Sequence, residues 1–268
     1  MKNQKTKLFT IIKEFIKYRD LLFMLILRDI RIRYKQAAMG FLWAIFMPIV
    51  AVLAGILIRK AMSIVSGKPM DMTGILSIAV KVLPWTFFIS SIKFAVQSLT
   101  GNQNLVTKIY FPREVLPIAA VCACAFDFMI AAVVLGIFLA ITQVGVSVYL
   151  GLIPFLIIFL FLMVTGLGLL LSSANLFFRD VRYIVEVILT FGIFFTPVFY
   201  SAKDFGEWQY LLWLNPVGSI LESIDSVVIL HQAPQWGWFA YAGLFSVLIF
   251  IVGMKIFHEN EPYFAENI

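Results

Sequence analysis

The chain has 268 residues, 62% of them hydrophobic and 13% charged, with a formal net charge of +6. Apolar runs recur over 38–257, which is more apolar surface than one soluble core buries and leaves no stretch for a soluble catalytic domain. The basic excess does not point to nucleic acid, because ten of the 21 Lys and Arg fall in the first 36 residues and the others flank apolar runs, as topology signals do.

Residues 1–20 are mixed polar, and no small-residue cleavage site follows the first long apolar run, so no cleavable signal peptide is expected. Residues 21–36 alternate apolar and basic side chains. Leu22, Leu25, Ile26, Ile30 and Tyr34 fall near one helical face, with Arg28, Arg31, Arg33 and Lys35 around the rest, the pattern of a helix lying in the membrane interface. Residues 1–36 therefore read as a cytoplasmic tail and interface helix. A transmembrane domain occupies 37–258, and 259–268 form a C-terminal tail.

Runs near 20 apolar residues, the length that crosses the hydrocarbon core as a helix, predict six spans: 38–58, 74–99, 114–142, 150–174, 183–200 and 236–257. With the N-terminus inside, Lys108, Arg113, Arg179, Arg182 and Lys255 join the ten N-terminal cations on the cytoplasmic side. Arg59, Lys60, Lys68, Lys81 and Lys203 stay outside, which selects both termini cytoplasmic. Between spans five and six, 201–235 is too mixed to cross. It carries Trp208, Tyr210, Trp213 and the Asn215-Pro216 pair, where proline suits a first helical turn, so short helices dipping into the outer interface are expected. The fold class is all-α integral membrane.

No phosphate-binding loop, dinucleotide loop or zinc-type cluster occurs, so the chain carries no motor, cofactor or metal site of its own. Cys122 and Cys124 sit two apart on roughly opposite sides of a helix, unsuited to a disulfide. His231 and His258 are isolated, and Asp204, Glu207, Glu222 and Asp225 read as the wet face of the outer helices. Two ionisable groups fall within spans: Lys93 reaches the cytoplasmic interface by snorkelling, and Asp127 lies deeper, either as a structural carboxyl, with Lys93 as a possible partner, or as a substrate or ion contact. Glu186 follows Arg182 by four residues, the spacing of a local helix pair. Aromatics concentrate at Trp85, Phe87, Phe88, Phe191, Phe194, Phe195, Phe199 and Tyr200. They serve either as packing and lipid-facing belts or as the lining of a path on which ring faces slide past sugar C–H groups.

The segments LRDIRIRYKQAAMGFLWAIFMPI (27–49), LPWTFF (83–88), NQNLVTKIYFPREVLPI (102–118), NLFFRDVRYI (175–184), TPVFYS (196–201), LNPV (214–217) and EPYFAENI (261–268), taken in order, resemble the transmembrane subunits of ABC-2 type exporters, especially O-antigen and related polysaccharide permeases. The resemblance implies a homodimer in the bacterial inner membrane, paired with two copies of a separate ATPase that holds ATP and Mg. Its substrate would be a lipid-linked polysaccharide such as an undecaprenyl-pyrophosphate-linked O-antigen, or a teichoic acid or capsule.

The same resemblance makes 104–114 a coupling helix with Lys108, Tyr110, Phe111, Arg113 and Glu114 as ATPase contacts, Phe111 acting as an exposed knob. It sets the interface helix, with Arg28 and Arg31, beside the ATPase. The aromatics would line the glycan path with an outer gate after span five, and Arg59 and Lys60 would meet either a pyrophosphate or lipid headgroups. A glycosyltransferase or lipid-phosphate enzyme is disfavoured because the charged residues are dispersed, and a secondary transporter because a lone intramembrane Asp couples ions poorly.

Overall fold

The computed structural model describes residues 17–35, 40–66, 72–109 and 111–264, and every described element is helical. The helices are α1 (Arg19–Tyr34), α2 (Trp43–Ser66), α3 (Met72–Gln97), α4 (Gln103–Lys108), α5 (Val115–Ile141), α6 (Ile153–Phe177), α7 (Val181–Gly192), α8 (Gln209–Trp213), α9 (Pro216–Val228) and α10 (Trp236–Asn260). Five of them, α2, α3, α5, α6 and α10, are long and apolar enough to cross a membrane. The chain is therefore a multi-pass membrane protein.

The predicted span 183–200 differs. Its helix, α7, passes into a 3-10 turn at Ile193–Phe195 and stops. The reason is local: Thr196 precedes Pro197, whose ring excludes the helical region for the residue before it, and Thr196 is extended at φ −121°, ψ 131°. Pro197, Val198, Phe199 and Tyr200 turn back into the protein and are buried.

Helix α3 is the centre of the bundle, with 17 of its 26 residues buried. It packs against α5, α6, α9 and α2, whereas α2 and α5 turn broad apolar faces outward through Leu53, Leu57, Val133 and Ile137. The most extensive helix pair is α6 with α10. A Cβ on Gly166 would lie 2.6 Å from the Ile249 carbonyl oxygen, so here two backbones touch, the close approach that small residues allow between membrane helices.

Short helices do occur within 201–235: a 3-10 helix at Ala202–Trp208, then α8 and α9. Asn215 caps α9 by accepting from the Val217 amide at 3.1 Å, Pro216 follows at its first position, and the Asn215 amide donates to Thr196 Oγ1 at 2.8 Å. Helix α9 is no wet surface helix, because Val217, Ile220, Leu221, Ile224 and Val227 are buried against α3, α6 and α10.

Candidate functional site

At the end of the bundle that carries α1, helix α4 follows a 3-10 turn at Thr100–Asn102 and rests on a second apolar cluster. That cluster joins Leu25 of α1, Val106 of α4, Val115 and Leu116 of α5, Leu176 of α6, Phe257 of α10 and Phe264 beyond it. Helix α4 buries one residue, Val106, and exposes Asn104, Thr107 and Lys108, with Ile109 54% exposed just beyond. Two expectations are corrected. Phe111 is buried at 5% exposure within the cluster, and Glu114 is buried at the start of α5, so neither projects to a partner. Helix α4 ends at Ile109, which is extended at φ −127°, ψ 134°, and the Phe111 ring joins the apolar cluster with Val106, Val115 and Phe257. Arg113 also turns inward and donates to the Glu261 carbonyl at 2.5 Å. Tyr110 lies outside the described residues.

Helix α1 is fastened to α5 by charge. Arg33 Nη1 donates to Asp127 Oδ2 at 2.6 Å, the Tyr34 hydroxyl donates to Asp127 Oδ1 at 2.7 Å, and Arg33 Nη2 lies 3.3 Å from Cys124 Sγ. The guanidinium also stands 4.0 Å from the Phe94 ring centroid, a cation–π contact. Burial first, and then the bond to Asp127, push the Tyr34 phenol well above its ordinary value, so it stays a donor. Asp127 is thus partnered by Arg33 and Tyr34 of α1. The expected pairing with Lys93 is corrected: Lys93 instead bonds Glu186 at 3.3 Å, while Arg182, which was expected to pair with Glu186, bonds Tyr183 Oη at 2.6 Å. Arg28 pairs with its neighbour Asp29 at 2.8 Å, and Arg31 is exposed.

Beside the Arg33–Asp127 pair is a cavity of about 390 Å3, lined by Tyr34, Trp43, Thr86, Ser90 and Phe94 among others. It shares Pro48, Leu83 and Ala131 with an apolar cavity of about 370 Å3 that continues between α2, α3 and α5.

Toward the opposite end lies a charged pair that the sequence reading did not single out. Lys81, counted there as a flanking outer cation, is 1% exposed on α3. Its ammonium donates to the Tyr200 carbonyl at 2.6 Å and to Glu222 Oε1 of α9 at 3.3 Å, and the same oxygen accepts from the Ala202 amide at 3.2 Å. Asp225 of α9 is also buried, while Asp204 and Glu207 are exposed, so the four acidic residues divide between core and surface. An ionisable residue nine positions into an apolar run was the available signal.

The eight candidate path aromatics divide in the same way. Trp85, Phe87, Phe88, Phe199 and Tyr200 are buried within this one chain, with Trp85 stacked on Phe88 at 5.6 Å between centroids, so these five pack the core and do not face an open path. Phe191, Phe194 and Phe195 are 59%, 65% and 72% exposed along one side of α7 and its 3-10 turn. Arg59 reaches the Phe199 carbonyl at 3.5 Å, and Lys60 is exposed. Cys122 and Cys124 are free thiols, and among the described residues no group of three or more His, Cys, Asp or Glu is placed to hold a metal ion.

The pattern of one protein family, ABC-2 type transporter, matches residues 20–229. Full-length relatives include an O-antigen export system permease protein RfbA of Myxococcus xanthus, 26% identical over 96% of this chain and 99% of that protein. A Klebsiella pneumoniae protein of the same name is 25% identical over 92% of this chain and 94% of that protein. The polysialic acid transport protein KpsM of Escherichia coli is 22% identical over 88% of this chain and 92% of that protein.

Proposed function

The chain belongs to the ABC-2 type transporter family, and from that premise we propose that it is the permease subunit of an ATP-driven exporter of lipid-linked polysaccharide, with undecaprenyl-pyrophosphate-linked O-antigen as the substrate class. It is not itself an enzyme: ATP and Mg bind a separate ATPase subunit, two copies of which join two copies of this chain in the bacterial inner membrane. The end carrying α1, α4 and Phe264 faces the cytoplasm, and both termini lie there. Support comes from the full-length similarity to permeases named for O-antigen export and from the concentration of Lys and Arg at that end.

In this reading the chain makes six crossings. Helix α7 begins the fifth from the cytoplasmic side, and residues 196–228 complete the outer half as a re-entrant unit seated on α3. Phe191, Phe194 and Phe195 are the aromatics of this chain that face the glycan. Arg59 and Lys60 stand at the outer end of α2, where a pyrophosphate or an acidic sugar emerges.

The observation that carries the proposal is the α4 platform. A six-residue helix has little stability of its own, yet α4 is held on a closed apolar cluster contributed by α1, α5, α6 and α10, with Asn104, Thr107, Lys108 and Ile109 turned outward. That is a rigid, exposed contact through which a partner can push on several membrane helices at once. The contact residues shift accordingly from Phe111 and Glu114 to the exposed edge of α4. Co-purification of the chain with its ATPase tests this: Asn104→Trp and Lys108→Glu are expected to release the ATPase while membrane insertion is unchanged. Retention of the ATPase by both variants contradicts it.

Capsular polysaccharide is the second reading, favoured by the full-length similarity to the polysialic acid transport protein. The two share machinery and differ in which lipid-linked glycan stimulates hydrolysis.

A further inference from the structure

The segment that follows α10 is built into the platform that carries α4. After α10 a 3-10 turn, Glu261–Tyr263, brings Phe264 back beneath α4, where it is fully buried. Its ring meets Phe257 edge-on at 5.0 Å between centroids and Phe177 at 6.1 Å. Phe264 thereby joins the last turns of α6 and α10 to the cluster that also holds Val106 and Phe111.

Polar contacts lock the same segment. Glu261 Oε1 accepts from the Arg113 amide at 3.2 Å, and the Glu261 carbonyl accepts from Arg113 Nη1 at 2.5 Å. Arg113 Nη2 reaches the Val106 carbonyl of α4 at 3.4 Å, so one guanidinium spans α4 and Glu261. Asn260 donates to Ser173 Oγ of α6 at 3.3 Å, and His258 Nδ1 lies 3.5 Å from Glu261 Oε2.

We propose that residues 261–264 form a hook that orients α4 and ties its displacement to the α6–α10 pair, with Arg113, Glu261 and Phe264 as positioning residues for energy coupling. The hook lies outside the 20–229 stretch that defines the family match, and the proposal rests on α4 being the ATPase contact. Helix α4 buries a single side chain, so its tilt is set by what lies beneath it. With the hook in place, a push on α4 meets the Phe264 ring and the Arg113 bridge and is delivered to α10, whose backbone touches that of α6 at Gly166. Without it, α4 tilts over an unfilled space and the stroke is dissipated.

The test uses the full chain with its ATPase in lipid vesicles, measuring ATPase bound per permease, ATP hydrolysis and glycan moved per ATP. Phe264→Ala and Arg113→Ala are expected to keep the ATPase bound and hydrolysis near the parent level, while glycan moved per ATP falls about fivefold or more. Phe264→Leu, which refills the space, restores most of the ratio. An unchanged ratio in both alanine variants overturns the hook, as does a loss that merely follows lowered abundance and is not rescued by leucine. If Phe264→Ala does not accumulate, Arg113→Ala alone decides, because it removes the guanidinium that joins the Val106 and Glu261 carbonyls and leaves the apolar packing intact. Retention of the ATPase by Asn104→Trp and Lys108→Glu instead overturns the α4 contact itself, whatever the hook variants do.

Discussion

Lys81 and Glu222 are the residues whose loss the fold tolerates least selectively. An ammonium at 1% exposure within a membrane-length helix is stable because a carbonyl and a carboxylate meet it, and removing one partner leaves an uncompensated charge, a cost of about 3–5 kcal/mol. Lys81→Met is therefore expected to lower the melting temperature of the purified protein sharply, and Lys81→Met with Glu222→Met to recover much of it. A double variant as unstable as the single one contradicts the pairing.

The sequence makes Lys81 visible as a cation but not as a buried one, because one-dimensional hydropathy cannot say that residues 200–222 fold back onto α3. Asp127 was legible as an intramembrane carboxyl, but its partners were not. Arg33 and Tyr34 precede it by more than ninety residues, and only the docking of α1 on α5 brings them together. The phenol is a neutral donor with its titration raised, so its bond to Asp127 contributes below the ordinary phenol range and is lost only as pH climbs through the raised value.

Among the elements, the long helices were legible because each crossing demands about 20 apolar residues in a row, a signal that survives without tertiary context. Helix α9 was legible from its Asn-Pro start. The fifth predicted span was not, because apolar content hides a break that lies in backbone geometry: Thr196 before Pro197 ends the helix, and the apolar residues that follow bury themselves in the protein instead of in lipid. Packing between elements was equally hidden. Gly166 and Gly253 face each other where α6 and α10 touch, and a Cβ on Gly253 would strike the Gly166 backbone. Gly253→Leu is expected to insert normally yet splay this pair, seen as faster protease cleavage in the connection 229–235. Parent-like resistance to cleavage argues against backbone contact at that point.

At the scale of the whole molecule, one chain presents two ends with different tasks. The α1 end is an apolar cluster of five helices joined by Phe111 and Phe264, and α4 rests on it. The opposite end is a folded-back segment held on α3 by Lys81 and Glu222. Between them α7 exposes Phe191, Phe194 and Phe195 along one side. The clustering of aromatics was legible in composition. Which of them remain uncovered was not, since burial of the other five depends on α9 and residues 196–200 packing against α3.

The most direct test of ATP-driven glycan export is translocation into inverted vesicles containing the chain and its ATPase, with a lipid-linked O-antigen supplied on the outer leaflet. ATP with Mg is expected to move the glycan to a compartment protected from external glycosidase, and Phe194→Ala with Phe195→Ala to slow that movement more than it lowers protein abundance. Protection that develops equally without ATP, or without the ATPase, contradicts the account.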